Sequence, residues 1–235
     1  TENPKEVMGI NTLRELAEVE AEMQRRLRIK AMEEGASLID PDTVWFCHDT
    51  KIGKNVTIGQ NVVFGLGVTI GDNVEIKAFS HLEGAVVADK AIIGPFARLR
   101  PGTVIGKEVR VGNFVEIKAA RLEEGVKASH LSYIGDSRVG SGTNIGAGVI
   151  TCNYDGFNKH ITEIGKDVFI GTNTALIAPV KIGKGAFIAA GSVISKDVDE
   201  NSLAMSRAPQ KENSGWALKY RMRNLEKTKT TQKKA

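Results

Sequence analysis

The chain has 235 residues with 25 glycines, about 11% against a usual ~7%, while aromatics are 6% inside a hydrophobic set of 41%. Small and branched aliphatics must therefore build the core. Six prolines and no run near the ~20 apolar residues of a membrane span exclude collagen-like, disordered and membrane-spanning readings, and with no charged-then-apolar leader visible a secretory signal is not expected. The pI is near 9.0, but residues 207–235 hold nine Lys/Arg against two Glu, net +7, so residues 1–206 sum to −3 and the basic character belongs to a tail.

Residues 1–10 are polar, carry Pro4 and read as a linker. Thr12 followed by Glu15 is a capping-box pattern. Leu13, Leu16, Met23 and Leu27 then recur at helical spacing among charges, which predicts a solvated helix over 12–34 with one thin apolar seam, ended by Gly35. Cys47 and Cys152 lie too far apart to suggest a disulfide framework and fit a reducing cytoplasm. Without a secretory route, the sequon at Asn55 is not expected to be glycosylated.

From Ile52 the pattern changes. Twelve Ile-Gly or Val-Gly pairs appear between 52 and 183, spaced mostly by six, and the fifth place of each repeat is small or β-branched (Val56, Val62, Val68, Val74). A six-residue period with an inward aliphatic is the hexapeptide signature of a parallel β-helix, each repeat giving a strand and a turn and three repeats one triangular coil. Residues 42–198 thus make about nine coils of about 18 residues. Glycine after the aliphatic is expected at a corner of positive φ. A narrow prism that excludes rings is expected to explain the scarcity of aromatics. The expected division is a linker and helix over 1–35, the β-helix over 36–200 and a basic arm over 201–235.

Residues one coil apart stack at about 4.8 Å. Arg100 and Lys118 are each second in repeats one coil apart, so two cations share a face. Spacing alone leaves open whether they clamp a phosphate or are two solvated charges. His130, Ala147, Thr172 and Ala190 are each third in their repeats and should form one column. The 25-residue step from Ala147 to Thr172 exceeds a coil, and the surplus lies in a polar loop within Cys152–Glu163. A histidine beneath small residues and beside an ejected loop reads either as a groove with a base at one end or as a turn histidine facing solvent. Four histidines without metal spacing, and no Cys-x-x-Cys, argue against a zinc site.

The segments Gly94–Gly102, Val111–Glu116, His130–Tyr133 and Asn144–Gly148 through Thr151–Gly156 resemble the bacterial N-acetylglucosamine-1-phosphate uridyltransferase/glucosamine-1-phosphate acetyltransferase family, from the helix to about Arg207. Only the acetyltransferase half of that family is matched; the nucleotidyltransferase half, to which magnesium would belong, is not.

The resemblance implies a left-handed parallel β-helix, the exception to right-handed crossovers, and a cytoplasmic homotrimer with sites between subunits. It implies acetyl transfer from acetyl-CoA to glucosamine 1-phosphate, towards UDP-N-acetylglucosamine, peptidoglycan and lipopolysaccharide, with neither nucleic acid nor membrane as partner. His130 falls on the general base, and Glu116 on a carboxylate that orients it. Arg100 and Lys118 fall on sugar-phosphate ligands, and Tyr133, Asn144 and Lys159 on positions for the sugar. Ala147, Asn153, Tyr154, Thr172, Ala190 and Arg207 fall on acetyl-CoA positions, with Thr172 where the family usually carries Ser. A backbone N–H in the Ala147 coil is the expected oxyanion donor. Two other readings stay open: a non-enzymatic scaffold whose basic arm binds nucleic acid, and an acyltransferase for another amine.

Overall fold

The computed structural model describes residues 8–232. Every strand ladder is parallel, and strands three apart in chain order are neighbours, so the chain winds as a three-faced solenoid. The first face has ten strands, from Ser37–Leu38 to Leu203–Ala204. The second runs from Val63–Phe64 to Val193–Ile194 and the third from Lys51–Ile52 to Val180–Ile182, with eight strands each.

Most strands are two or three residues long because each face of a coil has room for one outward and one inward side chain. The inward ones stack in register: on the first face Ile58, Ile76, Ile93, Val111, Ala128, Ile145, Ile170 and Ile188 succeed one another, all buried. Each fully buried Ile or Leu contributes roughly 1.5–3 kcal/mol of transfer free energy.

The structure changes two readings of this core. Phe46 and Phe64 lie fully inside the first coils, rings 5.0 Å apart and 4° from parallel. That separation is close to the coil rise of ~4.8 Å, so a ring fits one layer and the prism does admit aromatics.

Except at Gly94, at φ 90°, the glycine after the aliphatic does not supply the positive φ. The left-handed corner comes two residues later, at Asn55, Asn61, Asn73, Glu108 and Phe114. The glycine is bare for closeness: a Cβ on Gly146 would lie 2.7 Å from the backbone of Ile170 and Thr172 in the next coil.

One left-handed corner carries an unusual row. Phe79, Phe96, Phe114 and Leu131 have φ of 60°, 56°, 55° and 50°, a region bulky side chains rarely adopt. The three rings stack at 5.0 and 5.2 Å, and all four side chains are exposed.

Helix α1 (Leu13–Glu33) has the predicted capping box. The Glu15 carboxylate accepts from the N–H groups of Asn11 and Thr12, which hold it below the usual carboxyl range. Gly35, at φ 105°, turns the chain out of the helix.

The apolar seam is only partly used. Leu27 packs on the core and Ala31 is buried, but Leu13, Leu16 and Met23 are exposed. Polar groups make the docking. Gln24, 2% exposed, donates to Phe46 O at 2.7 Å and accepts from Phe46 N–H at 2.9 Å. Arg28 donates to Val44 O at 2.9 Å and Asp42 O at 3.0 Å. These side chains occupy backbone groups that a preceding coil would have bonded.

Helix α2 (Trp216–Gln232) follows the last coil; from Trp216 to Asn224 its side chains are exposed, with Trp216 stacked on Tyr220. Among the described residues no helix is long and apolar enough to cross a membrane.

Candidate active site

Strand Lys127–His130 lies on the ten-stranded face between Arg110–Asn113 and Asn144–Ile145. Ala128 pairs with Ile145, Ile145 with Ile170 and Ile170 with Ile188. Two residues further on, His130, Ala147, Thr172 and Ala190 climb one corner as the spacing predicted. The corners are tied together: Gly148 N–H donates to Leu131 O, Asn173 N–H to Ala147 O and Gly191 N–H to Thr172 O. The N–H groups of Ala147, Thr172 and Ala190 donate to nothing among the described residues. The column is therefore a row of small side chains and free backbone donors. Arg207 reaches its upper end, donating from Nη1 to Ala190 O at 2.7 Å.

His130 is exposed, and its Nδ1 lies 2.8 Å from Asn113 Oδ1. Asn113 is its register partner one coil below. An amide oxygen can only accept, so Nδ1 is the donor in this bond, and in the neutral imidazole Nε2 is the nitrogen with the lone pair. Ser132 fixes the backbone by donating to His130 O and Gly146 O.

Asn113 therefore does what was expected of Glu116. Glu116 accepts from Arg100 Nη1 at 2.8 Å and stands 3.8 Å from Arg98. The reason lies in the register: Asn113 shares the face and the column of His130, whereas Glu116 stands on the next face against Arg98 and Tyr133. Column counting from His130 would have found Asn113, third in the repeat at Val111.

On the second face Leu99 pairs with Ile117, which stacks Arg100 under Lys118 as expected. Glu116 compensates Arg100. Lys118 instead faces Lys159 from the inserted loop, and this neighbouring cation is the main reason the Lys159 pKa lies below the usual lysine range; Asp136 and Tyr133 oppose the shift.

Lys118 pairs with Gly135 on its other side, and the Tyr133 ring lies over that bare position. Asn153 is buried, its amide donating to Asp136 Oδ2. Tyr154 is exposed and donates to Gly156 O within its own loop. Asn144 sits on the outer surface between Lys127 and Phe169 and, among the described residues, hydrogen-bonds through its side chain to neither group.

Two sets thus form within one chain: His130, Asn113 and the small-residue column with Arg207, and Arg100, Lys118, Lys159 and Tyr133. Asn113, Gly135 and Asp136 adjoin these sets and were not singled out by the sequence reading. Among the described residues one group has metal-ligand geometry, Cys47, His48 and Asp49, whose donor atoms lie within 4.8 Å of one another. It is in the first coil, while His130 is in the sixth, so it has no place in this site.

A family model described as bacterial transferase hexapeptide (six repeats) matches residues 49–84, 84–119 and 161–196. The chain is 57% identical to the Bifunctional protein GlmU of Paramagnetospirillum magneticum over 94% of its own length and 49% of that protein. It is 53% identical to that of Zymomonas mobilis with the same coverage. The chain belongs to the GlmU family. It spans about half the length of the curated relatives it matches.

The UDP-N-acetylglucosamine acyltransferase of Campylobacter jejuni has a similar fold, with a TM-score of 0.62 and 19% identity over 70% of each chain. That of Francisella novicida gives 0.54 and 20%, over 70% of this chain and 65% of its own. The solenoid is a left-handed parallel β-helix of hexapeptide repeats.

Proposed function

We propose that this chain moves the acetyl group of acetyl-CoA to the amine of glucosamine 1-phosphate, supplying N-acetylglucosamine 1-phosphate for UDP-N-acetylglucosamine and, beyond it, peptidoglycan and lipopolysaccharide. The observation that carries the reading is the His130–Asn113 hydrogen bond, which engages Nδ1 and makes Nε2 the basic nitrogen of the neutral ring, at the foot of a row of N–H groups unpaired among the described residues. Imidazole suits proton transfer at neutral pH.

In the proposed reaction the sugar nitrogen attacks the thioester carbonyl. The N–C bond forms as the amine proton passes to His130 Nε2, and collapse of the tetrahedral intermediate breaks the C–S bond. Coenzyme A leaves as thiolate and takes up a proton. The free Ala147 N–H is the donor for the oxyanion. Arg100, Lys118 and Lys159 hold the phosphate, with Tyr133 and Asn144 on the sugar, so the amine is presented to the base at little entropic cost. Coenzyme A runs up the column along Ala147, Thr172 and Ala190, with Asn153, Tyr154 and Arg207 at its sides.

The exposed row Phe79, Phe96, Phe114 and Leu131 stands next to the His130 corner and supports a homotrimer with sites at the subunit contacts. Coenzyme A chemistry supports a cytoplasmic setting.

Thiol release from acetyl-CoA tests the proposal. Release should require glucosamine 1-phosphate, and His130→Ala should lower kcat by about 100-fold or more. Release with another amine but not with glucosamine 1-phosphate, or a wild-type rate in His130→Ala, would overturn it, and a monomer in sedimentation equilibrium would overturn the trimer.

A further inference from the structure

The loop between strands Ile150–Cys152 and Thr162–Ile164 is built around one carboxylate. Asp155 Oδ1 accepts from the N–H groups of Phe157 at 2.8 Å and Asn158 at 2.6 Å, while Oδ2 accepts from His160 Nε2 at 2.7 Å. Backbone bonds run alongside, from His160 N–H to Asn153 O at 2.8 Å and from Asp155 N–H to Asn158 O at 3.2 Å. Tyr154 and Lys159 form an antiparallel bridge. The loop has no other packing of weight: Phe157 at its tip is 92% exposed, and an added Cβ on Gly156 would meet nothing.

Lys159 lies within this closed loop, next in sequence to His160, and its ammonium is held beside that of Lys118. Two like charges at short range repel. A free lysine on an unbraced loop would turn its head to water, so something must hold the backbone beneath it. The charged and titratable groups around Lys159 are Lys118, Asp136 and Tyr133, and Asp136 is already engaged by the Asn153 amide. Asp136 thus secures the root of the loop but not its far arm, where Lys159 sits. That arm is tied down by Asp155 through His160.

We propose that Asp155 and His160 form a clasp that positions Lys159 opposite Lys118, so that a phosphate monoester is gripped between the two ammonium groups. Neither clasp residue touches the phosphate; both act through Lys159. The inference rests on the reading of Lys118 and Lys159 as phosphate ligands.

The test uses the full chain with His160→Leu, Asp155→Ala and His160→Gln, the last keeping an N–H donor near the position of Nε2. His160→Leu and Asp155→Ala should raise the KM for glucosamine 1-phosphate about tenfold, the usual scale for one mispositioned ionic contact, with kcat and the acetyl-CoA KM within about twofold. His160→Gln should restore most of the loss. Adding Lys159→Ala to His160→Leu should cost nothing beyond Lys159→Ala alone, since both remove the same contact. Wild-type sugar-phosphate KM in His160→Leu, or multiplicative effects in the double variant, would overturn the clasp.

A titration of ¹³C-methylated lysines, with the Lys159 signal assigned by its loss in Lys159→Arg, separates this from the functional reading. In His160→Leu the Lys159 signal should move back towards the ordinary lysine range whatever the substrate is, and an unmoved signal refutes the clasp. Wild-type KM in Lys159→Ala, with the signal still shifting in His160→Leu, would refute the phosphate site and leave the positioning role standing.

Discussion

Gly135 sits in register with Lys118, and the Tyr133 side chain lies across the space where a Cβ would be. In Gly135→Ala the new methyl would stand 2.6 Å from Tyr133 Cζ and 2.8 Å from Cε1, and closer still to the hydroxyl. Neither the backbone conformation at Gly135 nor a neighbouring strand forbids alanine; only the free end of a side chain does. The ring should swing away at a cost of about 0.5–1.5 kcal/mol, the usual scale for an off-rotamer side chain. At roughly 2–4 °C per kcal/mol for a chain of this size, Tm should fall by only a few degrees. The loss falls on the sugar: a hydrogen bond between neutral groups contributes about 0.5–1.5 kcal/mol, so the glucosamine 1-phosphate KM should rise about 2- to 12-fold. Thiol-release kinetics with each substrate varied in turn, beside a thermal melt, measure both quantities.

Gly112→Ala is the counterpart. There the Cβ would lie 2.6 Å from the carbonyl carbon of Ser129, backbone of the strand that carries His130. That variant should lose stability and kcat together. If Gly135→Ala lowers Tm as much as Gly112→Ala, or leaves the sugar-phosphate KM unchanged, the distinction between side-chain and backbone obstruction at this site is wrong.

Three further outcomes follow from the same geometry. Asn113→Ala should lower kcat about tenfold by releasing the His130 tautomer, and Asn113→Asp, which still accepts from Nδ1–H, should retain most activity; an unchanged kcat in Asn113→Ala argues against the role. Gln24→Ala leaves the buried N–H and C=O of Phe46 without partners and should cost about 2–4 kcal/mol, read as about 5–12 °C of Tm; a melt within about 2 °C of wild type contradicts it.

The third concerns protons. Lys118 lowers the Lys159 pKa, so between that lowered value and the usual ~10.4 the free protein binds fewer protons than its unfolded chain, and the contribution of Lys159 to stability rises with pH there. A phosphate between the two ammonium groups removes the repulsion, so binding in that window should take up protons and weaken as pH rises. Calorimetry in buffers of different ionisation heat measures the uptake, and its persistence in Lys118→Ala would contradict the pairing.

The period of six was enough to place the three-faced winding and, by counting, the column from His130 to Ala190 and the stack of Arg100 on Lys118. These are properties of register, and register is written in spacing. The same counting would have reached Asn113. The Glu116 contact could not be counted, because two arginines and a histidine compete for one carboxylate and geometry decides among them. Gly112 and Gly135 look alike in sequence as the glycines after Val111 and Ile134, yet one spares a backbone and the other a tyrosine ring. The helix showed where it begins through Thr12 and Glu15, but its seam misled: Leu13 and Leu16 are exposed, and the docking runs through Gln24 and Arg28, which periodicity counts as polar. The loop could be located from the 25-residue step, but its closure depends on Asp155 meeting His160 across a turn, which no period encodes.

The Gln24 and Arg28 contacts also bear on how far such a molecule can grow. A parallel solenoid repeats one cross-section, so the lower rim of one copy has the shape of any coil's lower rim and suits the upper rim of another. Unpaired strand edges of that kind are templates for endless addition. By filling the groups at Val44 and Phe46 with side chains that end there, helix α1 makes the first coil a terminus in the polymer sense. It blocks rod-like stacking while leaving the flanks of the prism, where His130 and the phenylalanine row lie, open to a closed assembly.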